Sequence, residues 1–199
     1  MELLVASDIH CNKRHCESLV TQSKEVDVVI IAGDLASVRR GLLKTVEWLK
    51  PITKRVVLVP GNNETLEELQ TACKDWGNVI VLHGNGTKIN DQQFFGIGGG
   101  IPVTPFGDWS YDFTEYEAQQ LLKDCPEHAI LISHSPAKGI LDVSSSGNSL
   151  GSIAVKQAIV EKKPKLVICG HIHESGGKKE NFGSSLIINA GPAGMRVTI

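Results

Sequence analysis

Aromatic side chains, surplus positive charge and long apolar runs are all scarce in this chain. Only ten of 199 residues are aromatic (five Phe, three Trp, two Tyr), and 20 Lys plus Arg face 22 Asp plus Glu. A surface that binds polyanions needs a basic excess to displace counterions, so a nucleic-acid polymer is a poor partner. The longest apolar stretch, Val26 to Ala32, is broken by Asp27 and falls far short of the roughly 18 residues of a membrane helix. Met1 is followed at once by Glu2 and a short run ending at Asp8. With no basic leader region and no small-residue cleavage site, this start argues against secretion. There is no C-x-x-C pair, and the five cysteines (Cys11, Cys16, Cys73, Cys125, Cys169) are odd in number, the usage expected in a reducing cytoplasm. Cys11, His15 and Cys16 offer zinc-type side chains, but a closed site takes four.

At about 150 residues per domain, this length implies one domain with a sizeable core. What is abundant is a short β-branched run that stops at a polar or glycine turn and is followed by helical spacing. Leu3 to Ala6 runs into Ser7-Asp8, Val28 to Ala32 into Gly33-Asp34, and Val56 to Val59 into Pro60-Gly61-Asn62. Such runs read as strands buried on both faces. Helices are expected over about Lys13 to Ser23, Arg40 to Leu49 and Glu64 to Trp76. The alternation implies a parallel sheet covered on both sides. After Val79 to Leu82 the pair Asn85-Gly86 is a hairpin signal, with strands near Thr87 to Ile89 and Phe94 to Ile97. An irregular loop, Ile101 to Asp112, precedes a helix near Thr114 to Lys123. The rhythm then resumes with Ala129 to Ile132 into Ser133-His134, a helix near Ile153 to Glu161, and Leu166 to Cys169 into Gly170-His171. Leu186 to Ile188 and Met195 to Ile199 read as closing strands.

Five of these strands end in residues able to hold a metal: Asp8 with His10, Asp34, Asn62, His134, and His171 with His173. One such ending is an ordinary turn. Five together, supplying two Asp, one Asn and four His, converge on one place if ligands bind beyond the carboxyl ends of the strands. His171 and His173, like Asp8 and His10, stand two apart and so point to one side of an extended segment. The set is too large for one tetrahedral ion and suits two that share a carboxylate, for which Asp34 is the candidate. Mixed oxygen and nitrogen donors without thiolate favour Mn, Fe, Zn or Ni over Mg or Ca. Cys11, next to His10, is one further ligand type.

The series D-x-H (Asp8, His10), G-D (Gly33, Asp34), G-N-x-E (Gly61, Asn62, Glu64), a histidine after a strand (His134) and G-H-x-H (Gly170, His171, His173) resembles the calcineurin-like metallophosphoesterase superfamily over nearly the whole chain. Gly98-Gly99-Gly100 and the Thr104 to Trp109 loop are similar to those of its small bacterial and archaeal members. The resemblance implies an α/β sandwich of two facing sheets with flanking helices, where periodicity alone indicates one open sheet. It also implies that Asp8, His10 and His173 hold one ion, that Asn62, His134 and His171 hold the other, and that Asp34 lies between. The reaction expected is in-line attack on a phosphodiester by a metal-bound hydroxide. Glu64 is expected to orient a ligating histidine. Phe106, Trp109 and Tyr111 offer stacking surfaces for a base or an aromatic leaving group, or equally anchor their loop to the core. Arg39 and Arg40 follow Asp34 within reach of a phosphate, although a dibasic pair opening a helix more often faces solvent. Two other readings are a non-catalytic interaction scaffold of the same fold and a nuclease. The full ligand set opposes the first; the balanced charge opposes the second.

One position departs from the resemblance. Where the family motif G-N-H-[DE] has a histidine that contacts substrate, this chain has Asn63. An amide can hydrogen-bond a phosphoryl oxygen but cannot protonate a leaving alkoxide, and such general-acid help is worth roughly 100- to 10,000-fold. Substrates are therefore expected to be diesters or activated esters. Asn63→His should speed hydrolysis of a poor leaving group more than that of a nitrophenyl ester; equal effects on both would defeat this account.

Overall fold

In the computed structural model, which describes residues 1–199, the apolar runs pair into two sheets rather than the single open sheet that periodicity suggested. Numbered along the chain, β1 (Glu2–Ala6), β2 (Val28–Ala32), β3 (Arg55–Val59), β4 (Val79–Val81) and the last strand, β11 (Met195–Thr198), form one sheet in the order β11-β1-β2-β3-β4. The second holds β5 (Asn85–Ile89), β6 (Gln92–Ile97), β7 (Ile130–Ser133), β8 (Leu166–Cys169), β9 (Lys178–Phe182) and β10 (Ser185–Asn189), in the order β5-β6-β7-β8-β10-β9. Neighbours β1, β2, β3 and β4 run parallel, as do β6, β7, β8 and β10. Strands β11, β5 and β9 close three of the edges antiparallel.

Alternate side chains of each strand enter different layers. Leu3, Val5, Val28, Ile30 and Val57 point between the sheets and meet Phe94, Ile130, Ile132, Leu166 and Ile168. Their neighbours Leu4, Val29, Ile31, Val56 and Leu58 point outward into a second core. Three helices supply its other half: α1 (Lys13–Gln22), α2 (Leu42–Leu49) and α3 (Leu66–Cys73). On the far face, Phe95, Leu131, Val167 and Ile187 pack against α4 (Glu115–Leu122) and α5 (Ile153–Lys162). The result is four layers, helix–sheet–sheet–helix, and it bears out the sandwich that the resemblance implied. No helix is long and apolar enough to cross a membrane.

Caps account for the helix boundaries. Helix α3 begins at Leu66, two residues later than its acidic start suggested, because Thr65 and Glu68 form a capping box. Helix α2 begins at Leu42, after Gly41 at φ 79°, so Arg39 and Arg40 lie before it rather than in it. The hairpin turn also moves. Asn85-Gly86 opens β5, and the two left-handed residues of the turn are Asn90 (φ 46°) and Asp91 (φ 63°); a two-residue loop with both φ positive matches the strand twist. The exposed edge strand β9, Lys-Lys-Glu-Asn-Phe, has no apolar alternation to betray it.

His83 ties the glycine run after β6 to the irregular loop. Its Nδ1 accepts the Gly98 N–H at 3.0 Å, and its ring lies 4.9 Å from that of Phe113 and 5.8 Å from that of Tyr111. Burial pushes its pKa down from 6.5 to about 4. A ring held neutral stabilises the fold above its ordinary pKa, and that stabilisation is lost as pH falls through the lowered one. In urea unfolding, the stability margin of the wild type over His83→Gln should shrink between about pH 7 and about pH 4. A margin independent of pH would contradict this.

Candidate metal centre

The parallel strands of the two sheets end on one side of the sandwich, and their endings meet there. The turn after β1 brings Asp8 and His10, that after β2 brings Asp34, and that after β3 brings Asn62. From the opposite sheet β7 delivers His134 and β8 delivers His171 and His173. Asp8, His10 and His173 form one group whose ligand atoms all lie within 4.8 Å of one another; Asp8, Asp34 and His134 form a second. Asp34 divides its oxygens, with Oδ2 at 3.5 Å from His10 Nε2 and Oδ1 at 3.6 Å from His134 Nε2. Asp8 belongs to both groups. The His171 ring packs edge-on against His134 with centroids 5.0 Å apart, and its backbone N–H donates to Asp8 Oδ1 at 3.0 Å.

Sharp turns at the strand ends put Asp8, His10, Asp34 and His171 in the left-handed region, with φ from 44° to 65°. Each such residue costs about 1–2 kcal/mol, a strain that clusters at functional sites. Close approach adds a second demand. A Cβ on Gly61 would sit 2.0 Å from Asp34 Oδ1, and one on Gly33, at φ 87°, would sit 2.6 Å from His134 Nδ1.

The hydrogen bonds aim lone pairs at one another. His134 Nδ1–H donates to the Ala32 carbonyl at 2.8 Å and His10 Nδ1–H to that of Ala36 at 3.0 Å, which leaves both Nε2 atoms as acceptors. His10 Nε2 lies 3.2 Å from His173 Nε2. Asn62 donates through Nδ2 to Ser110 Oγ at 2.9 Å, and Ser110 donates to Asp112 Oδ1 at 2.7 Å. That chain turns Asn62 Oδ1, a second acceptor, toward His134 Nε2 at 3.2 Å. Acceptors set face to face need something positive between them. A proton on His134 meets that need in part: burial opposes its charge, but the Asp34, Asp8 and Glu64 carboxylates and the Ala32 carbonyl together outweigh burial and raise its pKa. A divalent cation meets it for several acceptors at once, so the residues fit a metal.

Burial alone would raise the Asp34 carboxyl, yet His134, His10 and the Asn63 N–H hold it below the usual carboxylate range. Burial and the neighbouring His134 push His171 down to about 4, keeping it neutral. Burial, together with the Asp34 charge, pushes Glu64 up to about 7.

Four residues singled out from the sequence make different contacts. Glu64 orients no imidazole; it accepts N–H bonds from Gly61, Leu35 and Ala36 at 2.8 to 3.3 Å and so clamps the backbone beside Asp34 and Asn62. Asn63 sits at the cavity wall, but its Nδ2 donates to Asp34 Oδ2 at 2.8 Å and its Oδ1 accepts from the Val38 N–H at 2.7 Å. Arg39 lies outside the cavity, with its guanidinium donating to Glu68 at 2.8 Å and to the Trp109 carbonyl at 3.3 Å. Cys11 donates to the Arg40 carbonyl at 3.2 Å. Sequence reasoning missed Ser110 and Asp112, and also Ser7, which donates to Asp8 Oδ2 at 2.6 Å. Only the adjacency of Ser7 to Asp8 was visible beforehand. Phe106 and Trp109 line the same cavity as His10, His171 and His173.

A family model for the calcineurin-like phosphoesterase superfamily domain matches residues 1–198. A search of curated proteins finds no match. Among solved structures, a Thermus thermophilus protein is similar at 19% identity and TM-score 0.78, over 96% of this chain and 90% of that one. An archaeal phosphodiesterase matches at 19% identity and TM-score 0.58, over 96% and 84%. A dimetal phosphatase from Danio rerio matches at 12% identity and TM-score 0.65, over 95% and 86%. At these identities the likeness is one of fold.

Ser110→Ala frees the Asn62 amide to turn its Nδ2 toward His134. Titration with Mn²⁺ should then show affinity weakened by about 10- to 100-fold with an unchanged circular-dichroism spectrum. Unaltered affinity would remove Ser110 from the site.

Proposed function

The chain belongs to the calcineurin-like phosphoesterase superfamily, and on that footing we propose that it is a metal-dependent phosphoesterase acting on phosphodiesters by in-line displacement at phosphorus. The observation that carries the reading is the set of mutually facing acceptors, Asn62 Oδ1 against His134 Nε2 and His10 Nε2 against His173 Nε2, gathered around the Asp34 carboxylate. Asp8, His10 and His173 would hold one cation, Asn62, His134 and His171 the other, with Asp34 between them. Two such ions, drawn from Mn, Fe, Zn or Ni, supply Lewis acidity and make water nucleophilic at neutral pH.

The chain's own groups set the rest of the chemistry. Asn63 braces Asp34 through two hydrogen bonds, one from its backbone N–H and one from its side-chain amide, and so fixes the direction of both carboxylate oxygens. It brings no titratable proton to a leaving oxygen. His171 is held neutral, and His10 and His134, whose Nδ1–H groups are given to backbone carbonyls, would turn Nε2 toward the cations and so bring no proton to a leaving oxygen once these are bound. The site is therefore built to hold and polarise a phosphoryl group while the leaving group departs with little protonation, which suits diesters of acidic alcohols.

Asp34→Asn keeps the shape and removes the shared charge. It should abolish binding of at least one cation per chain, read by elemental analysis, and cut phosphodiester hydrolysis by at least about 100-fold, the scale of losing one preorganised electrostatic contact. A variant that retains both cations and activity would overturn the assignment, as would a metal-loaded wild type inert toward a panel of mono- and diesters.

A further inference from the structure

The loop between β6 and α4 uses its aromatic residues in two ways. Tyr111 and Phe113 turn inward, in contact with each other at 4.8 Å and with His83, and anchor the loop. Phe106 and Trp109 anchor nothing comparable. Their rings stack at 5.5 Å and 18°, Phe106 is 52% exposed, and both face the cavity that contains His10, Asp34 and His171. Leu150, 46% exposed, lines the same cavity from the loop before α5.

This face is held in place. Asp112 accepts from the Thr104 N–H at 2.8 Å and from Thr104 Oγ1 at 2.6 Å, Tyr111 N–H donates to the Asn62 carbonyl at 2.9 Å, and Arg39 donates to the Trp109 carbonyl at 3.3 Å. No Lys or Arg lines the cavity, whereas Glu174 does. A dianionic monoester or a polyphosphate would find no side-chain cation there. The cavity volume of about 300 Å³ is at the small end for ligand pockets.

Building on the phosphodiesterase reading, we propose that Phe106 and Trp109 form the subsite for a planar aromatic ester group of a monoanionic phosphodiester. The reacting phosphoryl group sits at the histidine and carboxylate cluster. The flat, uncharged substituent that does not leave lies against the aromatic pair, in the cavity that Leu150 also lines. An aryl ring and a nucleobase present the same π face.

The test holds the leaving group constant and varies the other ester group. On Mn²⁺-loaded protein, kcat/KM is compared for the p-nitrophenyl esters of methyl, phenyl and thymidine 5′-phosphate. At least one planar ester should exceed the methyl ester by about tenfold, the scale of a single stacking contact, and whichever planar ester leads identifies the source of the ring. Both Trp109→Ala and the milder Phe106→Leu should drive that ratio toward one. In parallel, the fluorescence of the metal-loaded protein should respond to diphenyl phosphate and not to dimethyl phosphate, and Trp109→Leu should abolish the response. Equal rates for all three esters, or a preference that survives both variants, overturns the subsite and leaves the phosphodiesterase reading intact. A selective fluorescence response without hydrolysis of any ester upholds the subsite and overturns the phosphodiesterase reading instead.

Discussion

A carboxylate that is 2% exposed survives inside a protein only where donors or cations surround it, and Asp34 imposes that condition on everything near it. Two N–H groups of Asn63 reach it, and two imidazoles face it from opposite sheets. Gly61 must lack a Cβ for it to fit, and Glu64 clamps the backbone on both sides. Removing the charge therefore leaves two histidines and an asparagine aimed at an empty centre. An unpaired buried ion would cost several kcal/mol, so the groups around Asp34 and the local fold depend on one another.

The scaffold tolerates this because the strained residues sit past the strand ends, outside the regular ladders. Four ligand-type residues at positive φ represent roughly 4–8 kcal/mol of conformational cost at 1–2 kcal/mol each. The intersheet layer alone buries Leu3, Val5, Ile30, Ile132 and Ile168 completely, and each such side chain contributes roughly 1.5–3 kcal/mol. Packing of that size offsets the strain and, by pressing the two sheets together, also sets how far His134 stands from Asp34. The same apolar layer that stabilises the fold thus sets the geometry of the site.

Much of this arrangement was legible in the chain. Continuous β-branched runs mark buried parallel strands wherever both faces are covered, and Val28–Ala32 and Leu166–Cys169 fall where their pattern put them. The convergence of Asp8, His10, Asp34, Asn62, His134, His171 and His173 follows from topology, because parallel neighbours all end on one side. The division into two sheets was not legible from periodicity, since a strand buried between helix and sheet has the same apolar run as one buried between two helices. Edge strand β9 was lost for the opposite reason, having no buried face to alternate. At the site, ligand types were visible while their support was not. Ser110 links Asn62 to Asp112 and Glu64 gathers three backbone N–H groups, and spacing carries no trace of such partners.

Asn63 joins these strands of argument. In the resembled family this position carries a histidine that contacts substrate; here the shorter amide is drawn inward, bonding Asp34 with one end and the Val38 N–H with the other. Its replacement of an imidazole therefore does more than delete a proton donor. It stiffens Asp34 and leaves the cavity wall without a cationic group, since Arg39 is already engaged by Glu68 and the Trp109 carbonyl. On the phosphodiesterase reading proposed above, a cavity lined by no Lys or Arg and by an amide at position 63 would discriminate against poor leaving groups and multiply charged phosphates. A singly charged phosphoryl group with a stable leaving oxygen is, on that proposed reading, what such a site would take, and the half-buried Trp109 and exposed Phe106 would supply apolar contact where charge recognition is missing. Both proposed preferences, for the leaving group and for the other substituent, would thus trace to Asn63 and to the loop carrying Phe106 and Trp109, which line the same cavity.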